Sequence, residues 1–128
     1  MSEQSPFASI HILGVRVDAV TYRITLDIIA EWIQQRTPRQ IATTNPEFVM
    51  AARQDAAFRQ TLAQADLCVA DGVGLLWAAR RLGQRLPERV TGSDLAPLVA
   101  SQAARTGWRL FLLGAAPGVA ERAAEVLR

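Results

Sequence analysis

Cysteine is almost absent: Cys68 is the only one in 128 residues, which excludes an internal disulfide and suits a reducing compartment. Lysine is missing altogether, so all 14 basic residues are arginine, set against 12 acidic residues for a net charge of +2. No basic block or aromatic-interleaved stripe breaks this near-balance, which argues against a nucleic-acid partner. The local cluster Arg80, Arg81 and Arg85 reads either as a solvated helix end or as a face for phosphates or an anionic membrane. No run of 18 apolar residues occurs, and the first residues lack a basic stretch followed by an apolar one. The chain is therefore expected to be soluble, with any membrane contact peripheral. His11 is the single imidazole, read as a core or edge residue of a strand. No His, Cys and Asp set has metal-ligand spacing, so neither a metal nor another cofactor is predicted. The Gly-x-Gly-x-x-Gly fingerprint with an acidic residue some twenty positions later is missing too, which disfavours a nicotinamide-dependent oxidoreductase.

Half of the residues are apolar, enough for one ordinary domain and too few residues for two. Residues 1–8 read as a flexible lead-in and 9–128 as one α/β domain, truncated on its C-terminal side because the final helical pattern has no stop signal. Ile10 to Val15 has the β-branched character of a first strand, and Val17 to Thr21 reads as its exit and the cap of a helix. From Tyr22, apolar residues recur at helical spacing until Thr37-Pro38. Gln40 to Thr44 is a short strand, and Asn45-Pro46 opens a helix, Asn as cap and Pro at the first helical position. A second helix is expected beyond a break near Gln54-Asp55. Leu67 to Ala70 is too short for a helix and too apolar for a surface loop, so it reads as a buried parallel strand. A helix from Val73 closed by Gly83, another from Ser93 to Arg105, a strand over Trp108 to Leu113 and a last helix from Val119 complete the pattern. Trp32, Trp77 and Trp108 fall on apolar faces and are expected in the core. Alternating strands and helices predict a Rossmann-like, three-layer α/β/α fold with a mostly parallel sheet, here incomplete.

Asp71 is the most informative residue. It follows an apolar strand and precedes a helix, the place where α/β proteins carry their chemistry. A carboxylate there, beside the small residues Gly72 and Gly74 that leave room for a ligand, is suited to take a proton from a substrate hydroxyl. Asp-Gly is also a common turn. Thr43, Thr44 and Asn45 end the preceding strand and so approach the same crevice, offering hydroxyl and amide groups to sugar hydroxyls or phosphate oxygens. Asn45 serves equally well as a plain helix cap. Arg89, Thr91 and Gly92 combine a cation, a hydroxyl and a glycine just before a helix, chemistry suited to a diphosphate or to charge on a leaving group. Ser93 and Asp94 read as N-cap residues. Gly114 lies in a strand-to-helix turn, Gly114-Ala115-Ala116-Pro117-Gly118, which fits neither the dinucleotide nor the P-loop pattern.

Four segments in order carry a resemblance. They are Thr43-Thr44-Asn45-Pro46-Glu47, Ala70-Asp71-Gly72-Val73-Gly74, Arg89-Val90-Thr91-Gly92-Ser93-Asp94, and Leu112-Leu113-Gly114 with Pro117-Gly118-Val119. Together they resemble the WecG/TagA/CpsF family of bacterial glycosyltransferases, glycosyltransferase family 26, from about Ile10 to Arg128. The resemblance implies transfer of an N-acetylhexosamine, typically N-acetylmannosamine, or another hexose from a UDP-sugar to a polyprenyl-diphosphate-linked sugar. Such enzymes build surface polysaccharide or teichoic acid linkage units at the cytoplasmic face of the plasma membrane. It further implies an inverting single displacement with Asp71 as general base, Thr43 and Asn45 lining the pocket, and Arg89 on the donor or acceptor diphosphate. Family members continue well beyond the last motif. The alternative reading is a non-catalytic half-domain that binds or dimerises through its open sheet edge, giving a homo-oligomer.

Overall fold

The computed structural model describes residues 7–128, so most of the expected lead-in at 1–8 lies outside the described residues. The chain divides into two compact units, one running to Gly92 and one from Ser93 to Arg128.

The first unit opens with a hairpin of β1 (Ser9–Ile12) and β2 (Val15–Asp18), paired antiparallel with Ile12 opposite Val15. Leu13 and Gly14 form its two-residue turn with φ of 49° and 83°, the left-handed pair that a tight hairpin turn of the twisted kind requires. The single strand expected over Ile10 to Val15 is thus corrected to two strands. A leucine forced to positive φ leaves no trace in a hydrophobicity pattern. His11 is exposed on β1.

Helix α1 (Tyr22–Gln35) starts where Thr21 accepts from Ile24 N, and ends at Arg36 in the left-handed conformation, φ 56°. β3 (Ile41–Thr44) leads into α2 (Pro46–Gln54), whose cap is the Asn45 side chain accepting from Phe48 N at 2.9 Å. Asp55 breaks the helical run and caps α3 (Ala56–Gln64) through Phe58 N at 3.1 Å. Phe48 and Phe58 meet edge to face across this break, ring centroids 5.5 Å apart. β4 (Leu67–Ala70) then pairs parallel to β3, with Ile41 beside Leu67 and Thr44 beside Ala70. All four residues of β4 are 0–1% exposed; burying Leu67 and Val69 alone contributes about 2 kcal/mol each. Helix α4 (Val73–Arg81) packs Leu75 and Ala79 into the same core as Ile12, Val17, Val49 and Leu62.

The second unit holds all of α5 (Gly92–Thr106) but its first residue; the helix ends at Gly107 with φ 82°, whose N–H and that of Trp108 both reach the Ala103 carbonyl. α6 (Val119–Leu127) follows. The strand expected at Trp108 to Leu113 is absent: the segment has no regular structure, and Phe111 and Leu113 are 86% and 91% exposed. Its composition suits a strand, but a strand exists only where a neighbour takes its backbone groups.

The fold is therefore α/β, with six helices among the described residues. Parallel pairing is confined to β3 and β4, and the two sheets have two strands each, which does not amount to the three-layer, mostly parallel sheet expected. The tryptophans also depart from expectation: Trp77 is 65% exposed, and Trp32 and Trp108 are half-buried. Cys68 is free and fully buried, as a packing residue should be.

Candidate functional site

β4 delivers Asp71 to the end of the parallel pair. The Asp71 N–H donates to the Thr44 carbonyl at 2.8 Å, which adds one rung beyond the strand and fixes the residue's position. Hydrogen bonds of a central strand alternate between its two edges, and the edge of β4 away from β3 is served by other means. There Cys68 N donates to the Asp18 carboxylate at 2.7 Å, and Val90 N donates to the Ala70 carbonyl at 2.8 Å. Val90 is fully buried, so the loop after α4 runs beside the end of β4 and carries Thr91 and Gly92 to Asp71. Gly92 N donates to Asp71 Oδ2 at 3.2 Å. A side chain at Gly92 would begin 3.4 Å from the Thr43 methyl and 3.7 Å from its hydroxyl, so Thr43 stands next to the same amide.

Tyr22 holds this loop from the far side. Its phenol accepts from Thr91 N at 3.0 Å and lies 3.3 Å from Thr91 Oγ1, while its own N–H donates to Glu88 Oε2 at 3.1 Å. Neither Tyr22 nor Glu88 was singled out by the sequence. The available signal was that Tyr22 is the only tyrosine and sits on the first turn of a helix, where aromatic residues have no intrinsic advantage.

Asp71, Thr43, Thr91 and Gly92 are thus brought together, each partly exposed. The Asp71 carboxylate accepts one hydrogen bond among the described residues, which leaves acceptor capacity for a substrate hydroxyl. Arg89 is exposed and forms no ion pair among the described residues. Asn45 Oδ1 is committed to capping α2; its amide nitrogen is what remains for a ligand. The Thr44 side chain is fully buried. Gly114 falls in the second unit, before α6, with φ 109°.

The small size of Gly72 and Gly74 has a different use from the one expected. A side chain at either would start 3.0 Å from the Pro46 ring, and Gly72 has φ 150°. These glycines let the start of α4 lie against the start of α2, and so set where Asp71 leaves β4. A hollow of about 440 Å³ lies at the opposite end of the β3–β4 pair, lined by Ile29, Trp32, Ile33, Arg36 and Ile41 among others. Among the described residues no group of three or more His, Cys, Asp or Glu is placed to hold a metal ion.

The model of the glycosyl transferase WecG/TagA/CpsF family matches residues 10–128. In Staphylococcus aureus, strains COL and MRSA252 each carry a protein named N-acetylglucosaminyldiphosphoundecaprenol N-acetyl-beta-D-mannosaminyltransferase that is 33% identical over 130 aligned residues. The alignment takes in 100% of this chain and 51% of each relative, so the chain spans about half the length of the curated relatives it matches. From the first hairpin to the last helix, the chain belongs to the WecG/TagA/CpsF family of glycosyl transferases.

Proposed function

We propose that this chain carries the acceptor-activating half of a glycosyltransferase that moves N-acetylmannosamine, or a related hexosamine or hexose, from a UDP-sugar to a polyprenyl-diphosphate-linked N-acetylglucosamine. The reading rests above all on Asp71, a part-exposed carboxylate at the end of β4 with one oxygen held by Gly92 N–H. In this role Asp71 takes the proton of the acceptor hydroxyl as its oxygen attacks the anomeric carbon of the donor, and UDP departs from the opposite face. A single displacement inverts the anomeric centre, turning an α-linked donor into a β-linked product; the relatives' name carries the same β linkage. Thr43, Thr91 and the Asn45 amide orient sugar hydroxyls. Arg89, without an ion-pair partner among the described residues, meets diphosphate charge, where a guanidinium binds two oxygens at once. In this reading the lipid-linked acceptor is met at a membrane surface, the inner face of the plasma membrane; no helix among the described residues is long and apolar enough to cross a membrane.

The test is transfer from UDP-N-acetylmannosamine to a soluble polyprenyl-diphosphate-N-acetylglucosamine analogue. It is run with this chain and with a chimera in which the chain replaces the matching half of the Staphylococcus aureus relative. Asp71→Asn should lower kcat by about 10²- to 10⁴-fold, the usual contribution of a general base, and the product should carry a β linkage by NMR. Turnover within threefold of the parent, or an α-linked product, would remove Asp71 as base.

A further inference from the structure

The geometry points to the outer face of α4 as a membrane-docking surface for anionic phospholipid. Val73, Trp77, Arg80 and Arg81 stand at i, i+4, i+7 and i+8, one side of a helix, while Leu75 and Ala79 on the other side are buried. Val73 and Trp77 are each 65% exposed, and Leu82 just beyond the helix is 59% exposed. Arg81 lies against Trp77, its guanidinium carbon 5.5 Å from the ring centroid. Arg80, Arg81 and the nearby Arg85 have no ion-pair partner among the described residues, and residues 72–87 contain no acidic side chain.

A plain solvated helix face would mix charges of both signs with polar groups. This one combines a tryptophan and two aliphatic side chains with three unopposed cations. Apolar side chains that enter the headgroup boundary and arginines that meet lipid phosphates are the two requirements for binding an anionic bilayer from one side, and tryptophan favours that boundary. The location serves the proposed reaction. α4 begins two residues after Asp71, and its arginine end lies about 13 Å further along the axis, so a bilayer against this face keeps the carboxylate within reach of a headgroup-level sugar. The inference rests on the acceptor being lipid-linked; its test does not need turnover.

The intact chain is sedimented with vesicles of phosphatidylglycerol and phosphatidylcholine, and with phosphatidylcholine alone. Binding is expected only to the anionic vesicles and should weaken with salt. The combined variant Arg80→Gln, Arg81→Gln, Arg85→Gln should partition about 100-fold more weakly, given the contribution of each cation at such a surface. Trp77→Ser should weaken it several-fold, whereas Arg23→Gln, Arg53→Gln, Arg105→Gln, equal in charge removed, should bind like the parent. Absence of binding to anionic vesicles overturns the proposal, as does equal loss in both triple variants. Release by inorganic pyrophosphate at matched ionic strength would make the arginines a diphosphate site instead and also overturn it. The Arg80, Arg81, Arg85 variant should keep full turnover on the soluble acceptor, so this proposal and the role of Asp71 fail separately.

Discussion

Replacing Asp18 by alanine should destabilise the first unit more than any other single polar change. Asp18 is 1% exposed. Its Oδ2 takes Cys68 N–H at 2.7 Å, its Oδ1 takes the Ser9 hydroxyl at 2.7 Å, and Arg16 Nε lies 3.2 Å from Oδ1. The Arg16 N–H is not aligned for a hydrogen bond, so this pair is attraction between charges alone. In Asp18→Ala the exposed Ser9 turns to water at little cost. Cys68 N–H, inside a fully buried strand, is left without an acceptor, which costs about 1–3 kcal/mol. Arg16 loses its counter-charge; breaking a buried pair costs about 3–5 kcal/mol. That figure shrinks here because the Arg16 side chain keeps 25% exposure and donates to the Ala65 carbonyl at 2.5 Å. The net loss should be about 2–4 kcal/mol, a large part of an ordinary domain's stability. Asp18→Asn keeps one acceptor oxygen for Cys68 and should lose about half as much. Urea unfolding followed by circular dichroism measures both as shifts in midpoint at constant slope. A loss below about 0.5 kcal/mol in the alanine variant, the scatter of ordinary surface changes, would refute the assignment of Asp18 as the edge partner of β4.

Gly72→Ala combines a φ of 150° with a methyl 3.0 Å from Pro46 Cδ and should cost about 2–5 kcal/mol; unchanged thermal stability would contradict the close approach. Tyr22→Phe should leave the fold intact while costing about 1 kcal/mol and lowering transfer by displacing Thr91 and Gly92, seen as a fall in kcat at unchanged KM for the donor. Burial pushes the Cys68 thiol above its ordinary 9.0, with the nearby Arg16 charge opposing the shift. The folded chain therefore holds this proton more tightly than the unfolded chain does, so this group's contribution to stability is constant well below pH 9.0 and falls as pH rises past it. Cys68→Ala should flatten that alkaline limb in urea titrations, and thiol reagents at neutral pH should modify Cys68 only as fast as the chain unfolds.

Local signals were legible and non-local ones were not. Thr21, Asn45-Pro46 and Asp55 mark helix starts that the structure keeps, because a cap is chemistry between residues three apart. The all-apolar Leu67 to Ala70 had no reading but a buried strand, and that placed Asp71 at its end. The hairpin was missed because its turn rests on Leu13 at positive φ. The strand at 108–113 was over-read because composition reports a preference for extended backbone, whereas pairing depends on a distant neighbour. Gly72 and Gly74 read as leaving room for a ligand, whereas a side chain at either would meet Pro46, 26 and 28 residues away. The same limit hid Tyr22 and Glu88, whose contact spans 66 residues.

The contact between Tyr22 and Glu88 secures the loop that runs along the edge of β4 away from β3. β3 takes one edge of the strand through its backbone. On the other edge a carboxylate from β2 and a single amide from the loop take two of its groups. Asp18 fixes the middle of β4 and Val90 its end, so the loop that supplies Val90 also fixes where Thr91 and Gly92 stand relative to Asp71. A regular third strand there would satisfy the same backbone groups, but it would carry the chain straight past the carboxylate. Among the described residues of this loop Val90 alone pairs with β4, and the next two turn away, Thr91 to the Tyr22 phenol and Gly92 N–H to Asp71 Oδ2. Gly92 lacks a side chain where one would press on Thr43, so the amide approaches without moving the hydroxyl beside it. The irregular edge is thus the means by which a four-residue buried strand ends in a part-exposed, oriented carboxylate.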